Sequence, residues 1–310
     1  MCNGTIMDKL ISFSLPLMLS GILQLMFNAV DIIVIGRFSG SRSLAAVGST
    51  TALINMFTNL FIGISLGANV LSARFYAAGR DKEMSETVHT AITLALISGI
   101  LMVFVGLIFA KPVLELMDTP DDVINLSTLY MRIYFLGMPF FMLYNYGASI
   151  LRAVGDTKRP LFFLIIAGIV NAGLNMCLVI IFHLGVAGVA IGTVISQLIS
   201  SVLVLRCLYQ SQTSYQLRFS KLKIKGEYLK QIFQVGIPAG IQSTVINFSN
   251  VLLQSSVNSF GSIAMAGYTA ANNIFGFLYV TVNAVTQACM SFTSQNYGVG
   301  KWKRMDRVLI

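Results

Sequence analysis

Of the twelve acidic residues in the 310-residue chain, only Asp31 lies inside a long apolar run; the others sit in polar connections or at the edges of such runs. Burying a charge at the centre of a bilayer costs ~2.5–3.5 kcal/mol on insertion scales, so an acid there asks for a functional explanation. Gln24, Asn28 and Asp31 are spaced i, i+4, i+7 and share one helical face. Two readings stay open. The acid is solvated near the outer interface with the amides gluing helices together, or it faces an aqueous cavity and binds a proton or a cation. Asn171 and Asn175 lie one turn apart on another face, and Asn145 and Thr193 are placed to point inward from two further spans. Singly, each such group is interhelical glue worth ~0.6 kcal/mol on average. As a set with Asp31 they suggest an oxygen-lined pocket for a hard cation.

No other chemistry competes. Cys2, Cys177, Cys207 and Cys289 are scattered without the paired spacing of a disulfide framework or a zinc site, and read as small hydrophobes. Nucleophile elbows, phosphate loops, dinucleotide fingerprints and HExxH are missing, and the two imidazoles, His89 and His183, sit near the ends of apolar runs. Clustered His, Asp or Ser nucleophiles of a membrane-embedded enzyme are likewise absent, so the expectation is not an enzyme and no organic cofactor.

The composition states what must position these residues. The chain is 55% hydrophobic and 11% charged, with mean hydropathy +0.77, against roughly 25% charge in soluble domains. Its net charge of +9 does not make it a nucleic-acid binder, because apolar runs of membrane-span length separate the charges. The fold class is all-α and multi-pass, with eight spans at about 10–35, 47–78, 85–110, 123–151, 161–182, 187–209, 228–257 and 265–297. In lipid only helices or closed barrels satisfy their own backbone. The first run is too long for a signal-peptide core and lacks a small-residue cleavage site. Of the 21 basic residues, 17 fall in alternate connections, among them Lys9, Arg80, Lys158, Lys223 and Lys303, whereas the opposite set holds only Arg37, Arg42 and Lys111. The positive-inside rule then places the N-terminus in the cytoplasm. Arg132 alone is left inside a span. The polar, basic stretch from 210 to 227 reads as a cytoplasmic linker able to lie on anionic lipid.

The stretch after this linker restates the beginning. Pro16, Asn28 and Phe38 align with Pro238, Asn250 and Phe260 at an offset of 222, and Ala46 meets Ala266 after a short contraction. Residues 75–84 then align with 296–305, where Tyr76, Gly79, Lys82 and Met84 meet Tyr297, Gly300, Lys303 and Met305. Six spans separate the copies, so both enter the membrane from the same side, as in parallel-repeat transporters. The expected organisation is a six-helix lobe over 1–209, a linker over 210–227, and a partial second lobe over 228–310. Twelve helices are expected in a full-length protein, and the chain reads as a fragment that ends where a ninth helix starts, near Val308.

Several features have structural or dual readings. Gly63-xxx-Gly67, Gly188-xxx-Gly192 and Gly236-xxx-Gly240 allow close helix approach. Helix seven carries Asn247, Asn250, Gln254 and Asn258 on one face, and helix eight carries Asn283 and Gln287, with no acid. Fifteen Met and 21 Phe suit an adaptable cavity as well as lipid-facing positions. Pro16 removes a backbone hydrogen bond to the Ser12 carbonyl and favours a kink, either a structural bend or a hinge below Asp31.

The pattern of Pro16 with Phe27-Asn-Ala-Val-Asp-Ile-Ile-Val-Ile-Gly36 and Leu44-Ala-Ala-Val-Gly48 resembles the opening helices of multidrug and toxic compound extrusion (MATE) transporters. Ile150-Leu-Arg-Ala-Val-Gly-Asp-Thr-Lys-Arg-Pro160 is similar to that family's loop between helices four and five. Gly185-Val-Ala-Gly-Val-Ala190, Thr193-Val-Ile-Ser-Gln197 and Gln295-Asn-Tyr-Gly298 extend the likeness along the chain, towards the DNA-damage-inducible-F-type (DinF-like) bacterial branch. The resemblance implies two six-helix lobes in a V, exporting organic cations or other amphiphiles against H+ or Na+ across the bacterial inner membrane. It places cation coupling at Asp31, with Tyr130 and Asn145 from helix four, Asn171 and Asn175 from helix five, and Thr193 from helix six, and offers Asp31, Asn171 and Asn175 as the site should the ion be Na+. It puts the bend of helix one at Pro16. Family members often carry an acid where this chain has Asn175, which leaves Asp31 as the sole titratable member of the set and the ion open between H+ and Na+. The expected partners are a small organic substrate and membrane lipid, with no nucleic acid, and the expected state is a monomer. A lipid-linked oligosaccharide flippase is the alternative. It would line its cavity with several Arg or Lys, where this chain offers Arg132 alone.

Overall fold

The computed structural model describes residues 1–117, 119–258 and 262–309, without the side chains at 52, 247, 250–252, 254–258, 262–270, 272–274 and 309. Among the described residues there is no β-strand. In chain order the helices are α1 (Ile6–Phe38), α2 (Gly40–Ala77), α3 (Asp81–Leu116), α4 (Asp121–Leu136), α5 (Met138–Ala153), α6 (Lys158–Met176), α7 (Gly185–Gln210), α8 (Gly226–Asn258), α9 (Ser262–Gly298) and α10 (Trp302–Leu309).

The all-helical, membrane-spanning class holds, with corrections in detail. The expected fourth span is two helices, α4 and α5, bent by 47°. Its cause is local. Pro139 cannot donate a backbone hydrogen bond and is tolerated only in the first turn of a helix, so a new helix starts at Met138 just after Gly137. The expected fifth span is α6 continued by a wider turn over Cys177–Ile181, which Phe182 N–H closes onto the Cys177 carbonyl (3.2 Å). Among the described residues six helices are long and apolar enough to cross a membrane, or seven with the bent pair counted as one, fewer than the expected eight. The one that falls short is α8, which Gln234, Gln242, Asn247, Asn250 and Gln254 make more polar. The helix expected from about Val308 begins already at Trp302, 221 residues after Asp81 opens α3.

The core runs through the end of α1 and through α2, α3, α4, α5 and α7, where Ile35, Met84, Ile92, Phe135, Met138, Met142 and Tyr146 are fully or almost fully buried. The glycine pairs do what their spacing predicted. A methyl group on Gly63 would overlap the backbone of Gly240, and one on Gly236 would overlap that of Ile64, so α2 and α8 touch main chain to main chain.

A polar seam joins α9 to the first helices. Asn69 Nδ2 donates to the Ser149 carbonyl (2.8 Å), and its Oδ1 accepts from Ser291 Oγ (2.9 Å). Gln295 Nε2 donates to the Ala153 carbonyl (2.6 Å), and Arg152 Nη1 to Gln287 Oε1 (3.3 Å). Phe13 and Leu17 of α1 close the seam against Ala284 and Ala288.

Candidate functional site

The site is a cavity of about 360 Å³ walled by α1, α2, α4, α5, α6 and α7. From α1 the face foreseen in the sequence lines it: Gln24, Asn28 and Asp31. Asp31 is 9% exposed, and its carboxylate accepts a hydrogen bond from Asn175 Nδ2 of α6. The same Nδ2 donates to Asn171 Oδ1 (3.3 Å), and Asn171 Nδ2 donates to Thr193 Oγ1 (3.3 Å). Thr193 in turn donates to the Val189 carbonyl (2.9 Å), as threonines inside helices do. One polar chain therefore ties α1 to α6 and α7.

The packing leaves room for this chain at one position in particular. A methyl group on Gly192 would overlap Asn175 Oδ1, so the glycine of α7 is what lets the amide sit beside Asp31. That Asn175 oxygen is buried and has no hydrogen-bond partner among the described residues. Nor does a Lys, Arg or His lie within ion-pair distance of Asp31 among the described residues. A buried carboxylate beside an unsatisfied amide oxygen is a donor set suited to a proton on the acid or to a hard cation between the two.

The other expected site residues divide. Tyr130 is 5% exposed and lines the cavity beside Tyr134, with ring centroids 6.0 Å apart. Asn145 is not brought to the cavity. Its Nδ2 bonds the Phe141 carbonyl one turn back (2.8 Å) on its own helix. Pro16 lies far along α1 from Asp31, buried, with Ser20 Oγ donating to its carbonyl (2.8 Å). The second-copy amides Asn247, Asn250, Gln254 and Asn258 lie outside the described side chains. Asn283 bonds the Tyr279 carbonyl (3.0 Å), and Gln287 belongs to the seam.

Sequence reasoning missed the wall contributed by α2. Thr51, Asn55, Thr58 and Asn59 all line the cavity, and their spacing of three, four and eight residues marks one helical face. Gln197 and Ser200 of α7 do likewise, one and two turns below Thr193. No Lys or Arg is among the lining residues, and Arg132 points elsewhere and is exposed.

Residues 16–177 and 238–310 match the MatE family, two segments that begin at the prolines of the sequence repeat. The chain belongs to the MatE family. Its relatives include the probable multidrug resistance protein YoeA of Bacillus subtilis (strain 168), 32% identical over 96% of this chain and 66% of that protein. The multidrug export protein MepA of Staphylococcus aureus (strain NCTC 8325 / PS 47) is 22% identical over 98% of this chain and 67% of its own length. The MatE chain thus spans about two thirds of the length of these relatives. Two solved structures share its fold. One is a MATE protein in the bent conformation, with TM-score 0.91 and 23% identity, covering 98% of this chain and 68% of that one. The other is an outward-facing multidrug resistance MATE family transporter of the MOP superfamily, with TM-score 0.89 and 23% identity over 97% of this chain and 67% of that one. These relatives are named as multidrug resistance, export and transporter proteins.

Proposed function

We propose that this MatE chain supplies the ion-binding part of an antiporter that exports drugs or other amphiphilic organic compounds, with Asp31 as the group that takes up H+ or Na+. The observation that carries the reading is the placement of Asp31. It is a buried carboxylate on the wall of a polar cavity, held by Asn175 and without a basic partner among the described residues. Such a group is costly unless a positive charge comes to it. A proton or Na+ arriving from outside would neutralise it and re-pair the amides of α6. The polar chain through Asn175, Asn171 and Thr193 would carry that change to α7. Tyr130 and Tyr134 give the cavity aromatic walls on which an organic cation can stack.

The reading further places the protein in the bacterial inner membrane with its N-terminus inside, supported by the 17 basic residues on one side. The polar seam then lies towards the cytoplasm. Past it opens a cleft of about 680 Å³ lined by Thr5, Asp8, Lys9, Tyr76 and Asp156, while the void at the seam itself has no room for water. Cavity, seam and cleft follow one another along α1 and α2, so the seam would have to open for substrate to load. Each positive charge moving inward gains ~2.3 kcal/mol per 100 mV. The lack of basic residues in the cavity wall counts against the flippase alternative, whose pyrophosphate would need them.

The test is efflux of a fluorescent organic cation from vesicles holding the protein, with pH and sodium gradients imposed separately. Efflux driven by one gradient and reduced about 100-fold in Asp31→Asn is the expected result. Equal efflux without either gradient would overturn the antiport reading.

A further inference from the structure

The stretch between α7 and α8 is strapped down. Leu217 N–H donates to the Leu208 carbonyl (3.0 Å), and the Leu217 side chain is fully buried. Arg218 N–H donates to Nε2 of His89 on α3 (3.1 Å), while His89 Nδ1 lies 2.6 Å from the Ser85 carbonyl. Nδ1 therefore carries the imidazole proton, and Nε2 is free to accept. Lys225 N–H donates to Thr90 Oγ1 (3.2 Å), and Lys225 Nζ pairs with Glu86 (3.5 Å). The strap and the first turns of α3 enclose a groove of about 480 Å³ with Lys82, Lys221 and Lys223 on its rim and His89 at its floor.

The charge balance of this groove is one-sided. Among the described residues Glu86 is the only acid lining it, and it is already paired with Lys225. Lys82, Lys221 and Lys223 have no ion-pair partner among the described residues. Elsewhere in the same set of connections some of the cations are engaged: Arg159 with Asp156 (3.1 Å), and Lys301 and Arg304 with the main chain of Cys2 and Gly4 (2.9 Å each). Next to the groove, Phe219 (57% exposed) stacks on Tyr209 (53% exposed) at the end of α7, with ring centroids 5.8 Å apart. Exposed aromatics at the end of an apolar span, beside unpaired lysines, are the combination suited to the headgroup level of a bilayer.

We propose that this groove is a binding site for the phosphate headgroup of an anionic phospholipid from the adjoining leaflet. Lys82, Lys221 and Lys223 hold the phosphate, and the Tyr209–Phe219 pair rests on the glycerol and upper acyl region. The lipid thereby pins the only covalent link between α7 and α8 to α3 and to the membrane. The site is independent of which ion Asp31 takes, and it stands or falls separately from the antiport reading.

The full chain is reconstituted in phosphatidylcholine vesicles containing phosphatidylglycerol, and retained lipid is read by native mass spectrometry after gentle release. The expected result is selective retention of phosphatidylglycerol, weakened roughly a hundredfold in the Lys82→Ala/Lys221→Ala/Lys223→Ala variant, as three charges at a lipid surface imply. Phe219→Ser should weaken retention as well, whereas Lys303→Ala/Arg307→Ala, exposed cations outside the groove, should leave it unchanged. If the triple variant does not fold, Lys221→Gln/Lys223→Gln replaces it, with a smaller expected loss. Unchanged retention in the groove variants, or equal loss in the Lys303/Arg307 control, overturns the site. Displacement of the lipid by inorganic phosphate, with no effect of Phe219→Ser, shows a free-phosphate site instead and overturns the lipid assignment.

Discussion

Asp31 and Asn175 are bonded to each other across two helices, and their chemistry is separable by substitution. Asp31→Asn keeps the shape and removes the exchangeable charge. Ion-driven efflux should fall about 100-fold, the scale of losing one charged member of a buried site at ~3 kcal/mol, while the protein still inserts and unfolds at the same temperature. Asn175→Asp adds a second carboxylate beside the first and should strengthen Na+ binding. Its half-saturating Na+ concentration, read from sodium-driven efflux, should drop about tenfold, ~1.4 kcal/mol. At this scale the sequence was informative where spacing alone decides orientation. The i, i+4, i+7 set on α1 does face the cavity, and Asn171 and Asn175 do share a face. Asn145 misled because an amide inside a helix can satisfy itself on the carbonyl one turn back, and spacing does not reveal that choice.

Helices meet through glycines at the two places that matter most to the account. Gly192→Ala should push against Asn175 Oδ1 and disturb the Asp31 contact from α7, without touching the acid. Coupling is expected to weaken while helix content, measured by circular dichroism, stays the same. Gly240→Val forces apart α2 and α8, which touch through main chain, and overpacking of this kind typically costs 1–3 kcal/mol. A lower thermal-unfolding temperature in detergent is the check. Helix existence was legible from apolar run length, and the glycine contacts from their four-residue spacing. The break between α4 and α5 was written in Gly137-Met-Pro139, but an unbroken apolar stretch concealed it. The polar face of α2 went unread because Thr51, Asn55, Thr58 and Asn59 carry no charge to draw attention in a span.

Across the whole molecule, the antiport reading proposed above would require the seam that joins α9 to α2 and α5 to open. Asn69→Ala removes a donor to Ser149 and an acceptor for Ser291 together. With the four native cysteines replaced, a reporter cysteine at Asn28 should then be labelled faster from the cytoplasmic side. A gain of about fivefold is expected for a hydrogen bond worth ~1 kcal/mol. The twofold arrangement was visible in the sequence as Pro16 and Pro238, the residues at which both family-matching segments begin. The seam was not visible, because its hydrogen-bonded partners lie 80 to 222 residues apart and only tertiary packing brings them together. On the proposed reading, Asp31 is where the coupling ion would sit. Its most direct test is calorimetric or indicator-dye measurement of proton release when an organic cation or Na+ is added to the purified protein. The wild-type chain should release a proton on binding and Asp31→Asn none; equal release from both would contradict the account.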